Sequence, residues 1–235
     1  MSAAQAATPL QRRILYGRRL GPRLRPEARR LLDELLPALL FTVEPGTRLD
    51  PANLFETSPR VVWLEIGFGG GEHLAAQAAA HPDIGFLGVE PFINGVVKLL
   101  RAVEDRHLRN VRILTDDARI LLKALPDAAI DRAFVLFPDP WPKLRHHKRR
   151  IVNAETLAEL ARVIALGGEL RLATDDPGYA RWMLAAALAE PRFAWTADSA
   201  DDWREPPPDW VATRYELKAR RVGRRPVFLH FRRRS

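Results

Sequence analysis

From Val61 to Ala173 the chain alternates short, continuously apolar runs with longer amphipathic ones. Val61–Ile66, Gly85–Glu90, Val111–Leu114 and Ala133–Phe137 read as strands buried on both faces. Between them, Glu72–Ala80, Ile93–Val103 and Arg119–Leu125 carry helical spacing. The series continues with a helix over Ala154–Leu166 closed by Gly167 and Gly168, a strand over Glu169–Ala173, a helix over Tyr179–Ala189 and a last strand over Val227–Phe231. Upstream, Pro26 to about Leu40 predicts a helix with Leu31, Leu32, Leu35 and Leu36 on one face, and residues 42–60, with Pro45, Gly46, Pro51 and Pro59, an ordered linker. Pro206–Pro208 reads as a loop spacer. This alternation predicts an α/β protein with a Rossmann-like, mainly parallel sheet and helices on both faces.

Composition adds a domain plan. A chain of 235 residues with 47% hydrophobic content can build one large core, expected over residues 31–235, behind a mobile basic arm over residues 1–30 that lacks periodicity. The net charge is +8, but its placement says more than its sum. Residues 11–30 carry +7, residues 143–150 carry +5 and residues 214–235 carry +8, which leaves −12 on all other positions. Such segregation marks a polyanion footprint, nucleic acid before an anionic membrane. With no cysteine, disulfides, zinc–thiolate sites and thiol nucleophiles are excluded. No metal site is expected either, since His146 and His147 have no acid or third histidine nearby in sequence. No run of about 18 apolar residues and no export signal occur, so a cytoplasmic protein without a membrane span is expected. Monomer and homodimer both remain open.

The first strand ends in Glu65-Ile66-Gly67-Phe68-Gly69-Gly70-Gly71-Glu72, a glycine-rich turn into a helix where doubly wound folds bind nucleotides. Gly67 and Gly69 let a ligand approach the backbone. The dinucleotide fingerprint needs a glycine where Glu72 stands, and two carboxylates near a helix start disfavour a pyrophosphate. A nucleoside cofactor without phosphates fits better, and S-adenosylmethionine is the obvious one. Glu90, 23 positions after Gly67, is placed to accept both ribose hydroxyls, and Asp116-Asp117-Ala118 to meet an adenine amino group. Glu65, Glu90, Asp117 and Asp139 close the first four strands, so one sheet edge gathers carboxylates suited to a sulfonium and an ammonium. Each acid taken alone also reads as a helix cap.

After the fourth strand comes Phe137-Pro138-Asp139-Pro140-Trp141-Pro142, a proline-stiffened loop, then Lys143 to Arg150, with five cations and no acid. Rigid chemistry and a polyanion contact stand side by side. Trp141 suits either packing against the prolines or stacking on a base.

These residues, with Gly88-Val89-Glu90, Thr174-Asp175 and Thr213-Arg214-Tyr215-Glu216, closely resemble the bacterial tRNA (guanine-N7)-methyltransferase family over about residues 18–231. The resemblance implies methyl transfer to a guanosine of the tRNA variable loop. It further implies that Glu65, Gly67, Gly69, Glu90, Asp117, Ala118 and Asp139 hold S-adenosylmethionine and that Asp139 is the active-site acid. Lys143, Asp175, Thr213, Arg214, Tyr215 and Glu216 would contact the substrate, and Arg145, His146, His147, Lys148, Arg149 and Arg150 the RNA. Two departures stand out: Pro142 occupies a position where relatives often have histidine, and Pro91-Phe92 follows Glu90 where many have Val-His.

Guanine N7 carries an in-plane lone pair and no proton, so its attack on a sulfonium methyl needs no general base and positioning dominates. Asp139, Asp175 and Glu216 are the acids placed to grip the guanine N1–H and N2 edge. A base reaching a recessed pocket must leave its stack. Two rival readings are a nucleotide-dependent oxidoreductase, which the missing fingerprint glycine opposes, and a non-catalytic RNA-binding module that keeps the fold.

Overall fold

A computed structural model describes residue 19 and residues 21–44 and 46–235. Residues 1–18, most of the expected basic arm, lie outside the described set. The rest of that arm packs on the domain. The Gly21 N–H donates to Asn94 Oδ1 at 2.7 Å, the Ile93 N–H donates to the Arg19 carbonyl at 3.0 Å, and Pro26–Arg30 form the first helix, α1. The expected helix from Pro26 continues as a π-helical turn, Leu31–Leu35, and a short α2, Leu36–Leu39. Pro37 has no N–H to give the preceding turn, which accounts for the widened turn before it.

Seven strands form one sheet in the order β3-β2-β1-β4-β5-β7-β6. They are β1 Val62–Ile66, β2 Gly85–Val89, β3 Val111–Leu114, β4 Ile130–Leu136, β5 Ile164–Thr174, β6 Phe193–Trp195 and β7 Val227–Arg233. β1 to β5 pair in parallel, and β7 runs antiparallel to both β5 and β6. Alternate strand residues feed two cores. Leu64, Val89, Val135 and Leu172 pack with Leu121, Leu157 and Met183 of α5 (Ala118–Ala124), α6 (Ala154–Val163) and α7 (Pro177–Leu188). Trp63, Phe86, Ile113 and Phe134 pack with Leu74, Val96 and Leu100 of α3 (Glu72–Ala80) and α4 (Ile93–Arg106). Burial on both faces is what made the strands legible as mainly apolar runs, broken only by Glu65 in β1 and Arg112 in β3 among the first three strands.

The expected helix end at Leu166 is corrected to Val163. Ile164 is worth more as a strand residue: it is 1% exposed and pairs with Ile130, and Glu169 resumes pairing at Arg132. Gly167, in the left-handed region at φ +79°, therefore turns an excursion within β5 instead of closing a helix. The segment around Thr213 is the N-terminus of a helix, α9 (Arg214–Arg221), with Thr213 Oγ1 accepting from the Glu216 N–H. A further short helix, α8, spans Asp201–Arg204.

The spacer after Pro206 is tied across the sheet. Asp209 accepts from Arg171 at 2.7 and 2.8 Å and from Arg132 at 3.2 Å, and Gln77 donates to its carbonyl. This tether sets where α9 begins.

One glycine is required by packing. A Cβ on Gly95 would stand 2.1 Å from the Gly69 carbonyl oxygen, so α4 sits against the glycine-rich turn with no room for a side chain. Gly95→Ala is expected to cost about 1–3 kcal/mol by overpacking, read as a lower urea midpoint with an unchanged slope.

Candidate active site

β1 lies between β2 and β4, so successive connections leave it in opposite directions and open a crevice at the carboxyl ends of the strands. A cleft of about 740 Å³ occupies it. Its floor is the turn after β1, and Glu65, Glu90, Asp117 and Asp139 all line it, as their strand-end positions require. Gly67, at φ +73°, has open space where a Cβ would be, so ligand can lie on bare backbone.

The four acids are not equivalent. Glu90 is buried and clamps the floor: Oε2 accepts from the Gly69 N–H at 2.8 Å and Oε1 from the Phe92 N–H at 2.9 Å. Burial pushes its carboxyl above the ordinary carboxylate range, against the opposing pull of those two hydrogen bonds. Glu65 is held from behind by His73 at 2.7 Å. Asp117 caps α5, accepting from the Arg119 N–H at 2.9 Å, and both its oxygens also receive the Arg119 guanidinium. The capping role open to any acid after a strand is thus the one Asp117 performs; Ala118 lines the cleft beside it. Asp139 is exposed and has no hydrogen bond or ion pair among the described residues.

The loop bearing Asp139 stores strain. Phe137 and Trp141 flank Pro138–Pro140 and both adopt positive φ, +50° and +42°. For bulky residues such backbone persists only where surrounding contacts impose it. The chief contact is Arg150. Expected to reach RNA, it is instead 5% exposed, donates from Nε to the Pro140 carbonyl at 2.9 Å and stacks on Tyr179 and Trp182 at 4.9 and 4.8 Å. Two aromatic faces and an orphan carbonyl hold this cation more tightly than water would. Arg150→Met is therefore expected to cost about 2 kcal/mol through the lost cation–π and hydrogen bonds, measured by denaturant melting, while leaving the salt dependence of RNA binding unchanged.

Of the other basic residues, Lys143 immediately precedes a 3-10 helix, Leu144–Arg149, and the rest lie on it. Lys143, Arg145 and Lys148 are exposed. Arg149 lines the cleft and sits 4.9 Å over the Trp141 ring, and His146 meets the same ring edge-on at 5.8 Å. Partial burial and then the cations Arg149, Arg145, Lys143 and Lys148 push the His146 imidazole below its ordinary pKa. His147 packs on Trp182. Polyanion charge here rests with the lysines and arginines.

α9 forms the opposite wall. Thr213 and Tyr215 line the cleft, Tyr215 directly over Gly69. Arg214 stacks on Tyr215 and lies 3.8 Å from Glu72, which also lines the cleft. Glu216 points inward: 2% exposed, it accepts from the Trp210 indole at 2.6 Å and from Arg220 at 2.8 Å. Its carboxylate anchors α9 and is not free to grip a base. Asp175, at the end of β5, is ion-paired with Arg224 at 2.9 Å and stands outside the cleft lining, as do Lys143 and Arg214. Sequence reasoning missed Glu72, His73 and Trp210. Glu72 closes the turn already quoted and His73 follows it directly, but the Trp210 contact depends on the Asp209 tether, which no local pattern encodes.

The cleft's size suits a small-molecule ligand. Its acids, open glycine backbone and adjoining basic helix suit a cationic nucleoside facing a polyanion. No helix among the described residues is long and apolar enough to cross a membrane.

Comparison with known proteins agrees. The family model described as "Putative methyltransferase" matches residues 59–229. The tRNA (guanine-N(7)-)-methyltransferase of Rhodospirillum rubrum is 52% identical over 229 residues, covering 96% of this chain and 90% of the relative. That of Paramagnetospirillum magneticum is 51% identical over 227 residues, covering 96% and 94%. Among solved structures, the 16S rRNA methyltransferase KamB aligns with a TM-score of 0.54 at 18% identity, covering 75% of this chain and 89% of that one. An rRNA methylase from Streptococcus thermophilus aligns at 0.52 and 12%, covering 78% and 92%. The structural likeness establishes the methyltransferase fold, and the sequence identity is specific: the chain belongs to the tRNA (guanine-N7)-methyltransferase family.

Proposed function

We infer that the protein transfers the methyl group of S-adenosylmethionine to N7 of a guanosine in the tRNA variable loop, acting in the cytoplasm. The observation that carries this reading is the Asp139 carboxylate, unpaired among the described residues, on a strained, proline-braced loop between an acid-lined cleft and a basic helix. When bound, S-adenosylmethionine supplies an electrophilic methyl on a sulfonium centre. Glu65 and Glu90 would supply carboxylates to its ammonium and ribose hydroxyls, Gly67 and Gly69 would form its backbone floor, and the Asp116–Ala118 segment would meet its adenine edge. Holding acceptor and cofactor in place would be most of the catalysis needed, because the nucleophile has no proton to lose. Asp139 accepts from the guanine N1–H and N2 amino group and offsets positive charge developing on the purine. Trp141 and Tyr215 offer flat faces to a base that has left its stack.

Radiolabelled methyl transfer tests this: purified protein should label unmodified tRNA from S-adenosylmethionine, and absence of label sinks the reading in favour of a non-catalytic RNA-binding module. Calorimetry should detect S-adenosylhomocysteine and no NAD, which disposes of the oxidoreductase.

The exposed cations on the 3-10 helix make a second expectation. Converting Lys143, Arg145 and Lys148 to glutamine should lower the slope of log affinity against log salt by about two to three units if each contacts a phosphate. An unchanged slope, measured by filter binding, would place the RNA elsewhere.

A further inference from the structure

Glu65 has no backbone clamp of the kind that fixes Glu90. Its Oε2 lies 2.7 Å from His73 Nδ1, and Oε1 has no hydrogen-bond partner among the described residues although Glu65 borders the cleft. His73, on the first turn of α3, is 1% exposed. Its ring is confined by Phe134 edge-on at 4.7 Å and by Trp210 at 5.5 Å, and its Nε2 is buried with no partner among the described residues. A proton on Nε2 would be an unpaired N–H in an aromatic wall, and Nδ1 would then turn a lone pair towards a carboxylate. The only arrangement that satisfies the pair puts the proton on Nδ1.

We propose that His73 is a positioning residue: its Nδ1–H holds Glu65 Oε2 from behind, leaving Oε1 to receive the cofactor's ammonium group. The role rests on the reading of the cleft as an S-adenosylmethionine site. Without the donor, a carboxylate oxygen in this buried pocket loses its partner, so Glu65 is driven to turn away from the position that faces the cleft. Phenylalanine at position 73 keeps an aromatic ring but removes the donor. Asparagine places an amide N–H at about the reach of Nδ1.

Two measurements test it. In the wild-type protein, imidazole ¹⁵N shifts should report the Nδ1–H tautomer of His73; the Nε2–H tautomer overturns the proposal without any variant. Calorimetry with S-adenosylmethionine should find His73→Phe weaker by about tenfold or more and His73→Asn within about threefold of wild type, the difference one charge-assisted hydrogen bond makes. KM for tRNA should be unmoved in both. Wild-type affinity in His73→Phe, or equal weakness in both variants, overturns the proposal. Should His73→Phe fail to melt cooperatively, the tautomer and His73→Asn decide alone, and affinity in His73→Asn more than threefold below wild type then counts against it. A wild-type protein that binds no S-adenosylmethionine overturns the cofactor reading itself, whereas wild-type binding with an unaffected His73→Phe overturns this inference only.

Discussion

Replacing Asp139 with alanine is expected to lower kcat/KM for methyl transfer about a hundredfold or more, the scale of losing one preorganised charged contact to a transition state. The effect should fall mainly on kcat. Asp139 is exposed and has no partner among the described residues, so no structural bond is lost with it and Tm should move by no more than a degree or two, typical of a surface change. Asp139→Asn separates its two tasks. An amide oxygen still accepts from guanine but cannot offset positive charge, so activity should lie between wild type and alanine. Full activity in Asp139→Ala, assayed by steady-state kinetics on unmodified tRNA, would remove Asp139 from the mechanism.

Glu90→Ala should abolish cofactor binding at ordinary concentrations, with Kd rising about a hundredfold or more, because two backbone N–H groups are released together with the ribose acceptor. The glycine-rich turn loses the clamp at Gly69, so this variant, unlike Asp139→Ala, should also melt earlier. The pH dependence carries a distinct sign. Burial raises the folded-state pKa of Glu90 above its unfolded value, so this group favours folding at low pH and costs stability as pH rises through the folded pKa. Cofactor affinity runs the opposite way: it should fall as pH falls through that raised pKa, at a higher pH than an ordinary exposed glutamate would produce. Calorimetric titration across the acidic range checks this. Affinity flat down to the ordinary glutamate range would contradict it.

Much of this architecture was legible because the parallel strands are buried on both faces. Val62–Ile66, Gly85–Val89, Val111–Leu114 and the Ala133–Leu136 part of β4 announce themselves as mainly apolar runs, and their ends place Glu65, Glu90, Asp117 and Asp139 at one edge. What was not legible depends on contacts distant in sequence. Helix α9 buries only Glu216 and Ala219, so it presents no apolar stripe; its single local signal is the capping pattern Thr213-x-x-Glu216, and even there the Glu216 side chain is diverted to Trp210 and Arg220. Arg150 looked like one cation among five, yet Tyr179 and Trp182, brought in by α7, make it part of the frame of the reacting loop. A run of charge says where cations are, not which of them the fold keeps for itself.

The central claim is that the cleft delivers a methyl group to guanine N7 in tRNA. Nucleoside mass spectrometry of unmodified tRNA incubated with the protein and S-adenosylmethionine tests it most directly. 7-Methylguanosine should appear as the new nucleoside, formed at least about a hundredfold more slowly by Asp139→Ala; a methyl group on another base or another atom, or none at all, would refute guanine N7 as the acceptor.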